Sequence, residues 1–373
     1  MSTPRLARVG LAALPSFCAM CRAAVCPCVV LLVSACASIG PATVERDRFD
    51  YVTSISESWK RQMLLNLLKV RYVDAPVFLD VATVISSYEL QGNVALTAQA
   101  APANRSGDTF LNLGAAGHYV DRPTITYSVL TGDKFAKSIL SPIPITGILL
   151  VVQGGTPVDL VLRFCVNKIN GLENSYGGRP TRAGDPRFAE LLAILRADQI
   201  AGGAELQFKS GAEIPQIVLY LRPPHDEAMA LRHRRIAELL GLNQMAHEYS
   251  VVFGTFPSKD TEIAMQSRSM MQVLTDIASY FDPPATDSAD GRVQVPRRTA
   301  EQLQLFPPLI SVRHSDEKPP SQDAYAAVRY RDRWFWVDDR DDWSKTVINA
   351  TMLLFSLTET GPQAGAIVTI PTR

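Results

Sequence analysis

Ala204-Glu-Leu-Gln-Phe-Lys209, Gln216-Ile-Val-Leu-Tyr-Leu-Arg222, Asp226-Glu-Ala-Met-Ala-Leu-Arg-His-Arg-Arg-Ile-Ala-Glu-Leu-Leu-Gly-Leu242 and Tyr249-Ser-Val-Val-Phe-Gly-Thr-Phe256 follow one another along the chain. The second and fourth runs are short and rich in β-branched and aromatic residues, and the first alternates Ala204, Leu206 and Phe208 with polar residues, which predicts strands. The third has helical spacing: Met229, His233, Ile236 and Leu240 fall on one stripe. Two strands, a helix and a third strand give an α+β class. The architecture expected is a layered α/β sandwich on a mixed or antiparallel sheet.

Towards the C-terminus, residues 260–281 read as a helix with Ile263, Met270, Leu274, Ile277 and Phe281 on one face. Residues 282–322 gather proline pairs and charge and read as a long connection, with one short strand around 310–312. A hairpin over 325–337 turns near Arg331-Asp332. A helix over 342–355 and a last strand over 366–370 follow.

Towards the N-terminus, Asp185-Pro186 opens a helix with Phe188, Leu191, Leu192 and Leu195 on one face, and Gly202-Gly203 stops it. Thr156-Pro157-Val158-Asp159 offers a second start, with Thr156 as N-cap, Leu160, Phe164 and Ile169 as the apolar face, and Gly171 as the stop. Between them, residues 175–184 form a Gly-rich loop. Upstream lies a β-rich region: a strand over 77–90, weaker strands over 92–101 and 110–113 around a polar turn at 104–108, and a half-buried strand over 124–130. An amphipathic helix over 48–71 precedes it, with Val52, Ile55, Trp59, Met63, Leu67 and Val70 on its face and Asp74-Ala75-Pro76 ending it.

The first 35 residues contain Arg5, Arg8 and Arg22 and no acid, and residues 23–35 are apolar or small. That is the pattern of a secretory signal. The apolar run falls short of the roughly 20 residues that span a bilayer, and Pro27 interrupts it. Val33-Ser34-Ala35-Cys36 resembles the lipobox of bacterial lipoproteins. The resemblance implies cleavage between Ala35 and Cys36, a diacylglycerol on the Cys36 sulfur and a palmitate-type acyl chain on its new amine. Met20 precedes Cys21-Arg22 and the apolar run, so a start there would give a compact leader and leave out residues 1–19. Ala37 follows the Cys. The sorting rule of Gram-negative lipoproteins directs such a chain to the outer membrane, facing the periplasm.

The expected organisation is therefore a signal peptide over 1–35, a lipidated tether over 36–47, a helical and β-rich part over 48–202, and an α/β part over 203–373 that contains the connection 282–322. Removing the three leader Arg from 37 basic residues leaves 34 against 37 acidic, a net charge of −3. No basic excess points to nucleic acid or to an anionic membrane surface as partner. Of six Cys, four lie in the leader and Cys36 is the lipidation residue. This leaves Cys165, expected to be buried and inert beside Phe164 and Val166, with no disulfide partner.

Several enzyme signatures fail. No Gly-x-Ser-x-Gly elbow, Walker loop or Gly-x-Gly-x-x-Gly occurs. His247-Glu248 lacks its second His because Val251 stands there, and Lys318 of a Ser315-x-x-Lys spacing runs into Pro319-Pro320. His233 reads as a core or rim residue, and no metal or cofactor is assigned.

Asp338-Asp339-Arg340-Asp341-Asp342 is the densest charge cluster. Clustered carboxylates suit a hard cation. A strand-to-helix turn with an acid at the helix N-cap needs the same residues, and is the preferred reading. Trp334 and Trp336 share a strand face beside this turn and could form a binding platform, although core filling is the more usual role for such rings. Trp334, Trp336, Asp338, Asp339, Asp341 and Asp342 are the binding candidates.

The blocks Arg48-Phe-Asp-Tyr51, Gln62-Met-Leu-Leu-Asn66, Pro76-Val-Phe-Leu-Asp-Val81 and Trp334-Phe-Trp-Val-Asp-Asp339 resemble, in this order, Gram-negative lipoproteins of unknown function. The resemblance covers most of the mature chain and implies an envelope address and no particular activity. Two functions follow from these readings. One is a non-catalytic binding or envelope-assembly role with an envelope protein as partner. The other is a hydrolase-like periplasmic enzyme whose site is assembled from distant residues.

Overall fold

A computed structural model describes residues 39–85, 88–99, 110–121, 124–129, 132–209, 216–293 and 298–358. The leader, Cys36, the turn at 104–108 and the last expected strand lie outside the described residues. The chain divides into two units, residues 1–54 with 86–123 and residues 55–85 with 124–373.

In the smaller unit, β2 (Tyr88–Gln99) and β3 (Phe110–Asp121) form an antiparallel ribbon, in register from Tyr88↔Asp121 to Gln99↔Phe110. Helix α1 (Ile39–Arg71) begins there and ends in the larger unit. The expected face of α1 shifts. Met63, Leu64, Leu67 and Leu68 are buried, whereas Trp59 is 42% exposed, because neighbours cover only the last turns.

Two amides of α1 then act as a stand-in strand. Gln62 exchanges both hydrogen bonds with Leu79 (2.9 and 2.8 Å), and Asn66 does the same with Val77 (2.8 and 2.9 Å). This docks the start of β1 (Leu79–Ile85), which pairs antiparallel with β4 (Thr124–Val129). The single strand expected over 77–90 is therefore two strands. The half-burial expected of β4 is also corrected: Ile125 and Tyr127 are 41% and 57% exposed.

After α2 (Gly132–Leu140) and α3 (Ile145–Gln153) comes α4 (Val158–Cys165). Its N-cap is Pro157 with no side-chain cap bond, so Thr156 does not cap it. It also stops six residues before Gly171. The apolar stripe continues as a strand, β5 (Val166–Ile169), which turns through Asn170 (φ 44°) and Gly171 (φ 81°) into β6 (Leu172–Glu173). Asn-Gly is a strong hairpin signal because both central residues need positive φ.

Helix α5 (Pro186–Ala201) matches its reading: Asp185 caps it, Gly202 is left-handed, and Phe188 and Leu191 are fully buried. β7 (Ala204–Lys209), β8 (Gln216–Leu221), α6 (Glu227–Leu240) and β9 (Glu248–Phe253) follow as expected, with Asp226 capping α6. The helix expected over 260–281 is instead β10 (Glu262–Ser267) followed by α7 (Met270–Ala278). Ser269 and Gln272 form a capping box that marks the true start. Ile263 kept helical spacing with Met270 by coincidence.

The larger unit is built on one mixed six-stranded sheet of order β6-β5-β10-β9-β8-β7. Only β9 and β10 run parallel. Helices α4, α5 and α6 lie side by side. The connection 282–322 holds two short helices, α8 (Ala285–Ala289) and α9 (Ala300–Leu305), and its strand β11 (Arg313–Ser315) sits slightly beyond the expected position. β11 pairs with β13 (Arg333–Asp338), which pairs with β12 (Ala324–Tyr330). The β12–β13 turn is Arg331-Asp332, both at positive φ. Helix α10 (Asp342–Thr358) follows, and Phe355 stacks on Phe78 at 4.3 Å between ring centres.

Candidate functional site: an apolar cavity and a polar cleft

The acidic turn is a helix cap in which each carboxylate meets a neighbour. Asp341 accepts from the Ser344 amide (3.0 Å) and its hydroxyl (2.6 Å). Asp338 accepts from the amide and side chain of Arg340 and lies 2.8 Å from Arg313. The Arg340 hydrogen bonds hold its carboxyl well below the usual range. Asp339 and Asp342 both face Lys345, at 3.2 and 3.7 Å. Among the described residues no group of three or more His, Cys, Asp or Glu is placed to hold a metal. Trp334 and Trp336 are half-buried, Trp334 lies under Lys318, and Phe335 on the opposite face is buried. Asp341→Ala is expected to cost about 1 kcal/mol, with the same loss of melting temperature in chelator and in millimolar calcium. A calcium-dependent rise in the wild type that vanishes in the variant would contradict the capping account.

His233 sits at the rim of α6, 3.1 Å from Asp198, a fully buried carboxylate that also takes Arg232 at 3.2 Å. Cys165 ends α4 with no exposure, and burial pushes its thiol far up.

Several concavities open on the larger unit, among them a mostly apolar one and one lined in part by polar side chains. The first is a cavity of about 360 Å³ between the sheet and helices α3–α6. The sheet wall is Leu206, Leu219, Val251, Ile263, Met265 and Ile169. The helix wall is Leu149, Val152, Val158, Leu162, Leu191, Leu195 and Leu240. The register explains how a sheet produces such a wall: Leu206 pairs with Leu219, Ile217 with Val251, and Val251 with Ile263, so these side chains share one face. The amides on its rim are already engaged. Gln153 donates to the Leu206 carbonyl (2.8 Å), and Gln199 bridges Thr156, Val158 and Arg196.

The second is a wider cleft of about 820 Å³. One bank is the end of α1, from Val70 to Pro76. The other is the loop 176–181 with Met271, Thr275 and Ser279 of α7 and its C-cap. The loop is held from below by Arg268, whose side chain has no exposure. Arg268 bonds Asp276 (2.7 Å), Asn167 (3.1 Å), the Arg163 and Phe164 carbonyls (3.3 Å each) and the Ser175 carbonyl. The second Asp276 oxygen takes the Gly177 amide at 2.6 Å. The loop closes on itself through two backbone bonds between Tyr176 and Arg182 (3.0 and 2.9 Å). Gly177 is obligatory, since a Cβ there would lie 1.9 Å from Ser279 Oγ.

In the sequence, residues 175–184 read only as a Gly-rich loop, and neither wall of the cavity stands out. The six binding candidates of the β13–α10 turn line neither concavity. No family model matches the chain, and no curated protein or solved structure is significantly similar to it.

Proposed function

We propose that the chain is a lipid-anchored envelope protein, tethered through Cys36 to the outer membrane with its folded part in the periplasm, and that it works by binding. The observation that carries the binding role is the 360 Å³ cavity. Its volume lies within the range of small-molecule sites, and such sites are mostly apolar with few polar groups. An apolar cavity whose rim amides are satisfied offers water little and a hydrocarbon surface much. The occupant is a small, uncharged apolar molecule.

The hydrolase-like alternative asks for an activated nucleophile, and the Ser279 and Thr275 hydroxyls on the polar cleft are committed elsewhere. Ser279 donates to the Asp276 carbonyl and accepts from Arg298, and Thr275 donates to the Met271 carbonyl. Asp276 is bound by Arg268 and Gly177.

A neutral fluorescent probe such as N-phenyl-1-naphthylamine tests the reading. Saturable enhancement is expected with the native protein. Leu206→Trp, which places an indole in the cavity from a half-buried strand position, should weaken it about tenfold or more, or 1.4 kcal/mol. Leu305→Trp, outside the cavity, should not. No saturable signal, or equal loss in both variants, would sink the proposal.

A further inference from the structure

Both walls of the apolar cavity run on past it in the same direction. On the sheet, Phe253 lies one pleat beyond Val251 and pairs with Met265, so it stands on the cavity face. It is 62% exposed. Phe208 lies one pleat beyond Leu206 on the edge strand, pairs with Ile217, and is 38% exposed. On the helix side, Ile145, Leu149 and Val152 fall on one stripe of α3. Leu149 and Val152 line the cavity, whereas Ile145 lines an open groove of about 500 Å³ together with Ile217 and Phe253. Val251 lines both spaces. Among the described residues no charged side chain lines the groove. Glu205 is the charged residue on the cavity, and it lies 3.1 Å from Arg222.

The geometry points to cavity and groove together taking one unbranched acyl chain of a neutral, single-chain lipid. Its methyl end lies in the cavity, and its head group meets water at the Phe253 end. The inference rests on the binding role proposed for the cavity and names the class of its occupant. Shape is the first argument. A compact molecule would fill the cavity and leave Phe253 wet. A chain laid along the strand direction passes Val251 and covers Phe253 as well, which removes more apolar surface from water. Charge is the second. A charged head would find no opposite charge on the groove, where Thr146 and Gln216 offer neutral polar groups only. A neutral head loses nothing there.

Displacement of N-phenyl-1-naphthylamine from the full chain by monoacylglycerols tests it, in a series from the octanoyl to the hexadecanoyl ester, each below its critical micelle concentration. Affinity is expected to rise about fourfold per added methylene, equivalent to 0.8 kcal/mol, until the chain fills both spaces. Phe253 is exposed, so Phe253→Asp should fold normally. It should leave the probe and the octanoyl ester unchanged, weaken the longest ester about tenfold or more, and stop the rise at a shorter chain. Phe256→Asp, at an exposed residue that lines neither space, should change nothing. If the probe binds but Phe253→Asp follows the wild type at every length, the extended chain is overturned and the cavity keeps its binding role. Equal weakening by Phe253→Asp and Phe256→Asp also overturns it, because the attraction would then belong to surface aromatics at large. A probe that does not bind at all removes the binding role and this inference together.

Discussion

Asp276→Ala is expected to destabilise the fold by about 3–5 kcal/mol, since it strands a buried guanidinium without its counter-charge. Arg268 and Asp276 are 0% and 1% exposed as side chains and 2.7 Å apart. The remaining Arg268 partners are carbonyls and the Asn167 amide oxygen, which accept hydrogen bonds but do not neutralise charge. Truncation also frees the Gly177 amide. The measurement is the urea midpoint at constant slope. The double variant Arg268→Met, Asp276→Leu separates charge from packing: it should recover a good part of the loss, because removing both members of a buried pair is far milder than removing one. A single variant within about 0.5 kcal/mol of wild type would show that the pair is unimportant.

Cys36→Ser should abolish metabolic labelling with palmitate and leave an uncleaved or soluble chain. Each buried methylene of a lipid contributes about 0.8 kcal/mol, so several chains on one residue anchor durably and none leaves nothing to hold. Among the described residues no helix is long and apolar enough to cross a membrane. Labelling that persists in Cys36→Ser would remove the envelope address on which the proposed function stands.

Much of the fold is readable in the sequence, and the places where reading fails have physical causes. Asp185-Pro186 with Gly202, and Asp226 with Gly241, bracket α5 and α6 because capping chemistry is local. Residues 216–221 and 248–253 are legible as strands because their β-branched and aromatic residues fit a pleated surface, and 204–209 because its apolar residues alternate with polar ones. β5 and β10 are hidden. Each is short, buried at most positions and joined to a helix, so its apolar residues extend the helical stripe without a visible change of period. The local signals were present in Asn170-Gly171 and in the Ser269…Gln272 box, and outweigh the stripe once read as turn and cap. The cavity is illegible for a different reason. Leu206, Val251 and Leu162 line it with the same side chains that fill a core, and only three-dimensional placement distinguishes filled from unfilled space. The acidic turn was legible because an N-cap depends on its next three residues alone.

The strand order also determines when the molecule can fold. β5 is complete by Ile169 but lies in the sheet beside β10, which begins at Glu262. The carbonyls of Arg163, Phe164 and Ser175 wait for a guanidinium roughly a hundred residues downstream. A nascent chain that ends before Glu262 holds the β5–β6 hairpin and the three-stranded β9-β8-β7 piece of this sheet apart, with bare strand edges and an unfilled polar cage. Such edges pair with whatever strand they meet, and long-range closure is slow. Fragments truncated there should therefore aggregate and not persist as half-domains, and assembly of the sheet becomes a single late event triggered by the arrival of residues 262–276.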